Sequence, residues 1–511
     1  MGREMFDAIV IGGGPAGATA STLIARDGHK VLLLERERFP RYHVGESLLP
    51  STVHFMLELL GCREEVLNAN FFPKPGGVYL WGASAEPWHF DFKEKYHKAN
   101  YAFQVKRDKF DDILLKNAAR KGVDVREEHS VLGPIQDEND RVIGVRFKDD
   151  KGQEKEAYAT YVLDGSGQAG LLSNSIGERE YDKYFQHIAV YAYFEGAKRW
   201  HDPERQGAGV FASFDSGWVW YLPLSDTLTG IGAVVHRDEA AVTLRELGAE
   251  KALYKYLDAC PIINELLEPA HRVTEGDYGQ VRIVKDYSYR SDKFWAPGCA
   301  LIGDAACFID PILATGVHLA TFGGLQAARA VNTCLRGGEG ISEEKSFEEF
   351  EQRYRREFAL WYGYMASFYE MNRDESSFFW EAHKMLQPEG SNTPAAAKDS
   401  FIQLASGLAN TGEPLFQDGD SFLNAFKDQL NVTQRRIDVA QGGKELTTEE
   451  MEFIDDNRAR VFQGMNDTYT IASAGRDPVA AAAARAKVKP VFEGGLIPSI
   501  DGLGWEAFSL N

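Results

Sequence analysis

Apolar and polar positions alternate along the chain in a pattern that predicts a mixed α/β protein. Phe6 to Ile11 form a short apolar run that breaks into Gly12-Gly13-Gly14-Pro15-Ala16-Gly17, and small residues Ala18, Ala20 and Ser21 follow at helical spacing. That is strand, glycine turn, helix. A second apolar run, Val31 to Leu34, ends at Glu35, and further runs end at Asp164-Gly165-Ser166-Gly167 and at Gly303-Asp304-Ala305-Ala306. Trp218-Val219-Trp220-Tyr221-Leu222-Pro223 reads as a strand, whose alternation puts both indoles on one face. Beyond Ser342 the period changes. Phe347, Phe350, Tyr354 and Phe358 recur at helical spacing, and an aromatic stretch from Trp361 to Trp380 reads as core against the nucleotide-binding part. Segment 388–420 reads as loop-rich, and Ala480 to Lys487 as a helix before a turn region at Gly494-Gly495 and Pro498.

The glycine turn has a mechanical reading. Gly12 permits the tight turn, Gly14 lets backbone approach a pyrophosphate, and Gly17 lets helix and strand pack closely, with the helix N-terminus facing the phosphates. Glu35, at the end of the second strand, can accept hydrogen bonds from adenosine ribose hydroxyls; a solvated strand-end acid is the plainer alternative. Arg107, just before the helix-like Phe110 to Leu115, can meet flavin oxygens, and Asp304 a ribityl hydroxyl or the bridging phosphates. No second strand-glycine-helix fingerprint for a nicotinamide cofactor is visible.

Composition narrows the class. At 511 residues the chain can bury a large core in two or three units. With 76 acidic and 56 basic residues its formal charge is −20, which argues against nucleic acid or an anionic membrane as partner. Five scattered cysteines without ligand-like spacing, and no signal peptide or transmembrane run after Met1, predict a cytoplasmic protein with reduced thiols and no metal site.

Lys74 stands in Pro73-Lys74-Pro75-Gly76-Gly77, between two prolines and among apolar neighbours. Held in a partly dry cavity, such an amine has a lowered pKa and greater nucleophilicity, and suits an electrophilic oxidant. Taken alone, the stretch favours a surface loop lysine, and the tryptophan pair favours core packing. Taken together with the nucleotide loop, they point to an oxidant made at a flavin and kept from a large substrate by two indoles.

On these motifs the chain resembles the flavin-dependent halogenases, built on the p-hydroxybenzoate hydroxylase plan. It has the glycine loop, the lysine and a WxWxxP motif, with Leu222 where isoleucine is usual. Arg41, Gly45-Glu46-Ser47-Leu48-Leu49-Pro50 and residues 303–320 are similar to family segments, and the likeness spans roughly residues 5 to 385. It implies a Rossmann-like FAD-binding domain, an inserted antiparallel β-sheet substrate domain and a mainly helical C-terminal region. The FAD part takes about 1–55, 100–170 and 285–340, the inserted sheet about 56–99 and 171–284, and the C-terminal region 341–511. Gly12, Gly14, Pro15, Ala16, Gly17, Glu35, Arg36, Arg41, Ser47, Arg107 and Asp304 are then expected to hold FAD, Thr315-Gly316 to hold the halide, and Trp218 and Trp220 to shield the flavin. Tyr221 and Trp81 are expected along the route between two chambers. Lys74 is expected to capture or steer hypohalous acid made from FADH2, oxygen and chloride or bromide, with the FADH2 coming from a separate flavin reductase. The compact branch acting on phenolic, tyrosyl or pyrrolyl rings, free or on a carrier protein, fits the C-terminal region best. A flavin hydroxylase and a geranylgeranyl-type reductase are the rival readings. No additional glutamate to assist the lysine aligns, and Glu46 is equally suited to bonding backbone amides, so the general base is unassigned.

Overall fold

The computed structural model describes residues 4–82, 86–96, 99–337, 340–369, 382, 384–386, 393–409, 413, 490–499 and 501–508. Two large sheets lie back to back across a shared core. The first is built on parallel pairs: Met5–Ile11 lies between Val31–Leu34 and Glu154–Asp164, with Asp124–Arg126 and Cys299–Leu301 outside them. Its central strands are buried on both faces, which explains their near-continuous apolar runs. The antiparallel strands Ser130–Gln136 and Val142–Lys148 extend it on the Glu154–Asp164 side.

Helix Pro15–Arg26 leaves the first strand through the glycine turn and packs on helix Gly316–Arg336. Gly12 sits at φ 91°, and a side chain at Gly17 would place its Cβ 2.0 Å from the Gly12 carbonyl oxygen, so no other residue fits there without moving the turn.

The second sheet runs in the order Cys307–Phe308, Arg282–Ser291, Arg179–Glu195, Leu228–His236, Gly217–Pro223, Gly209–Phe214, Gly76–Leu80, Trp88–Asp91, with His271–Arg272 at one side. Its two faces differ. Trp218, Trp220 and Leu222 face the nucleotide-binding part, whereas Val219 and Tyr221 face a separate core with helix Arg237–Asp258. Alternation on the pleat therefore corrects one expectation. Tyr221 points away from both chambers, its hydroxyl bonded to the Lys198 carbonyl. Trp81 is also off the route, buried with its indole N–H on the Phe368 carbonyl at 2.7 Å.

The C-terminal region supplies helix Glu343–Phe368, which packs Phe347, Phe350, Tyr354 and Phe358 into the core as their spacing predicted. Helix Pro394–Ala405 lies inside the segment read as loop. Pro394 starts that helix, and the Thr393 hydroxyl accepts from Ala396 N–H at 3.2 Å, so the proline is a helix opener and not a breaker. Pro498 likewise belongs to a strand, Leu496–Pro498, paired with Trp505–Ala507. The expected helix from Ala480 to Lys487 and the aromatic residues Phe378, Phe379 and Trp380 lie outside the described residues.

Candidate active site: two cavities and the residues between them

A cavity of about 520 Å³ opens at the carboxyl ends of the parallel strands. Gly12, Gly14, Pro15 and Ala16 line it at the helix start, where the first N–H groups of a helix have no intrahelical partner. Glu35 and Arg36 stand on its rim. The Glu35 carboxylate accepts from Gly13 N–H at 2.6 Å and from Glu37 N–H at 2.8 Å, so it braces the glycine turn as well as lining the cavity. Gly17 is not on the cavity surface; it belongs to the packing behind the turn and corrects the expectation of a direct contact.

The far wall is cationic and rigid. Arg107 donates to both Asp111 oxygens at 2.7 and 2.8 Å and to the Val44 and Gly45 carbonyls, while Arg41 reaches Asp111 at 3.1 Å. Burial opposes ionisation of Asp111, but the Arg107 guanidinium prevails and holds its carboxyl below the usual range. Both arginines line the cavity. Asp304 faces it too, with its pKa raised to about 6 because desolvation outweighs the pull of Arg107 and Arg179.

Two groups in this cavity await a ligand. The buried Ser47 hydroxyl has no hydrogen-bond partner, and the Asp304 carboxylate takes no hydrogen bond among the described residues. A dinucleotide with hydroxyls and a pyrophosphate meets both needs, so the residues fit FAD.

Trp218, Trp220 and Phe211 close the cavity on the side of the second sheet, the two indoles 6.0 Å apart. Behind them is a pocket of only about 10 Å³, lined by Lys74, Tyr79, Phe90, Phe211, Leu313, Ala314 and Ala405 among others, none of them acidic. Lys74 ends strand Phe72–Lys74, paired to Ala102–Gln104, and is 5 % exposed. Its amine donates to the Leu48 carbonyl at 3.0 Å and lies 5.7 Å from the Phe92 ring centre. Burial alone pushes its pKa down to about 7. Phe211 and Ala314 line both spaces and form the partition.

At that partition Ala314 adopts φ 58°, a left-handed conformation uncommon for a residue with a Cβ, and Thr315 returns to the right-handed region. Such an alternation, at the start of a 21-residue helix, is a backbone pattern that can turn successive N–H groups toward an anion. Gly316 faces the flavin-side cavity with nothing within 4 Å of where a Cβ would stand; Thr315 is buried beside it.

Several residues were not singled out from the sequence. The Trp218 indole N–H bonds the Tyr369 hydroxyl, which leads on to Asp310 and His187, and Tyr42, Tyr191 and Tyr193 form a hydroxyl chain ending on Glu46. Glu46 bonds Gly45 N–H at 2.9 Å and faces the large cavity, not Lys74; burial raises its pKa. No local period marks such clusters, since their members are scattered over more than a hundred positions.

The parallel sheet, glycine turn, strand-end acid and large cavity together define a dinucleotide-binding protein. The family model for tryptophan halogenase matches residues 7–99 and 93–442. The chain belongs to the flavin-dependent halogenase family. It is 36 % identical over 411 residues to a tryptophan 2-halogenase of Chondromyces crocatus, covering 79 % of this chain and 76 % of that protein. It is 32 % identical over 424 residues to the flavin-dependent halogenase armH3 of Armillaria mellea, covering 80 % and 82 %. Among solved structures, the myxobacterial chondrochloren halogenase is similar at TM-score 0.72 and 44 % identity, covering 98 % of this chain and all of that one. The flavin-dependent halogenase CmlS is similar at 0.69 and 28 %, covering 99 % and 84 %. The chain is thus an FADH2-dependent halogenase with halide as co-substrate, of a family that generally needs a separate flavin reductase. Among the described residues no helix is long and apolar enough to cross a membrane, and no cluster of acidic, His or Cys side chains could hold a metal.

Proposed function

We propose that this halogenase modifies an electron-rich aromatic ring, phenolic, tyrosyl or pyrrolyl, free or tethered to a carrier protein, through Lys74. The observation that carries the reading is the position of that amine: buried, without an acidic neighbour among the described residues, pushed down to about 7, and one partition away from the flavin cavity.

In this reading the N–H groups of Gly14 and Ala16 hold the FAD pyrophosphate, Glu35 and Arg36 the adenosine end, and Arg41, Ser47, Arg107 and Asp304 the flavin end. Bound there in its reduced form, with oxygen, the cofactor supplies the oxidising power that turns chloride or bromide into hypohalous acid. The concavity at Thr315-Gly316 holds the halide, and Trp218 and Trp220 keep a large acceptor out. Near pH 7 about half of Lys74 is neutral, so its lone pair is available to the halogen. If the amine captures it, an N–halogen bond forms, the O–halogen bond breaks, and hydroxide leaves as water with an amine proton. The ring carbon then takes the halogen, loses its proton and frees the amine. If Lys74 only steers the acid, the same ring carbon attacks it directly. A hydroxylase would need the ring at the flavin itself, where the indoles stand.

The test supplies a flavin reductase, NADH, FAD, oxygen and bromide or chloride with phenolic, pyrrolic and indolic probes, free tryptophan included, and reads products by mass spectrometry. Wild type is expected to halogenate a phenol or pyrrole and Lys74→Ala to lose at least about 100-fold. Turnover of tryptophan alone would replace the proposed ring class. Equal halogenation by Lys74→Ala would remove the lysine from the reaction.

A further inference from the structure

Trp218 closes the larger cavity on the side of the Lys74 pocket, and the wall stays shut only if the angle of that indole is fixed. The Trp218 indole N–H donates to the Tyr369 hydroxyl at 2.8 Å, and that hydroxyl donates to Asp310 Oδ2 at 2.6 Å. His187 Nδ1 lies 3.1 Å from the same oxygen, and its ring stacks on Tyr369 at 4.8 Å and 12°. Asp310 Oδ1 accepts from Ile312 N–H at 3.1 Å. Asp310 is fully buried and opens the short turn Pro311–Leu313, which delivers Ala314 to the partition. One carboxylate therefore joins three distant pieces of chain: the sheet through His187, the end of helix Glu343–Phe368 through Tyr369, and the turn before the halide concavity.

From this we infer that Asp310 and Tyr369 are positioning residues that lock the Trp218 indole to the 311–314 turn, so that oxidant leaves the flavin cavity toward Lys74 and not into solvent. The inference rests on the two-cavity reading above. A carboxylate shared among several donors transmits loosening of one bond to the others, because each bond polarises and orients its neighbours. Packing alone would hold two indoles in a core, but it would not tie one of them, through a hydroxyl, to the residue that shapes the anion turn. Losing the Tyr369 hydroxyl leaves a buried indole N–H without its acceptor, which favours rotamers in which that N–H reaches another acceptor. Such rotation widens the gap beside Phe211, 6.2 Å from the Trp218 ring centre.

The test uses the full chain with its reductase, oxygen, bromide and a phenolic probe, plus taurine in bulk to trap escaped hypobromous acid. Tyr369→Phe keeps the ring and its stack on His187 and removes only the oxygen; Asp310→Asn is the second, near-isosteric variant. Flavin binding and melting temperature are measured alongside. In both variants the sum of brominated probe and trapped oxidant should stay within about twofold of wild type, while the trapped share rises about fivefold, the preference one hydrogen bond confers. If wild type couples and both folded variants couple equally well, this inference fails alone. If total oxidised bromide collapses with flavin still bound, the network serves the flavin reaction and the inference is again overturned. A wild type that yields trapped oxidant but no brominated probe fails the reading of Lys74, and this inference with it.

Discussion

The two cavities that meet at Phe211 and Ala314 are opposites. The flavin-side cavity is about 520 Å³, rimmed by arginines and carboxylates and floored by helix-start N–H groups; the Lys74 pocket is about 10 Å³, lined by aromatic and aliphatic side chains. The first is a site built before its ligand arrives, with unspent hydrogen-bonding groups at Ser47 and Asp304. The second has room for about one water, whereas a benzene-sized ring occupies a cavity of roughly 150 Å³. A ring reaches the amine only when a wall yields. Tyr79 and Phe211 are held in the nine-stranded sheet, and Ala405 ends the helix Pro394–Ala405, whose Lys398 reaches Glu94 at 2.7 Å across the surface. In the proposed function cofactor binding is thus preorganised and acceptor binding is not, an arrangement that keeps the amine dry until an acceptor arrives.

The comparison breaks most readily at the rigid wall of the larger cavity. Arg107→Met leaves the fully buried Asp111 with Arg41 as its one ion-pair partner among the described residues, and removing one partner of a buried pair costs about 3–5 kcal/mol. Urea unfolding should show that loss, and flavin titration a parallel loss of affinity. Undiminished FAD binding in the folded variant would detach Arg107 from the cofactor.

On the Lys74 side the expected effect depends on pH. The folded amine titrates near 7 and the unfolded one near 10.5, so between those values only the unfolded chain carries the proton and wild-type stability rises with pH. Lys74→Met lacks this term. Its stability relative to wild type should therefore be greatest below pH 7 and shrink by about 1.4 kcal/mol per pH unit up to about 10.5. Unfolding titrations at several pH values check the slope; parallel curves would mean an amine in contact with water.

The sequence exposed much of the larger cavity and little of the smaller one. Val31–Leu34 appears as the same strand in both readings, and Phe6 to Ile11 differs from Met5–Ile11 by one residue, because a buried parallel strand announces itself as an unbroken apolar run. Strand alternation likewise put Trp218 and Trp220 on one face, and applied one residue further it places Tyr221 on the other. The burial of Lys74 was not legible from its own neighbours, which read as a surface turn. It arises from the pairing of Phe72–Lys74 with Ala102–Gln104 and from Phe92 and Ala405, contributed by other parts of the chain. The Asp310–Tyr369–Trp218 chain was hidden for the same reason: 59 positions separate Asp310 from Tyr369, and 151 separate Tyr369 from Trp218.

A smaller effect sharpens the idea of a cavity held ready for a ligand. Ser47→Ala removes a buried hydroxyl with no partner, so the flavin-free protein should be no less stable, while FAD affinity falls by about 1 kcal/mol, roughly fivefold. Thermal shifts with and without FAD separate the two terms. A flavin-free variant that melts much earlier would show that the hydroxyl already serves the fold.

The smallest change is at the partition itself. Gly316 has a negative φ and open space where a Cβ would stand, so Gly316→Ala should stabilise the protein by about 0.4–1 kcal/mol through the unfolded chain. The added methyl projects toward the flavin-side cavity and should crowd an anion resting on the N–H groups there. The apparent KM for halide should rise several-fold, more for bromide than for the smaller chloride, with FAD affinity unchanged. Stabilisation with an unaltered halide dependence would place the anion elsewhere, and the left-handed Ala314 would then shape only the partition and not the anion's seat.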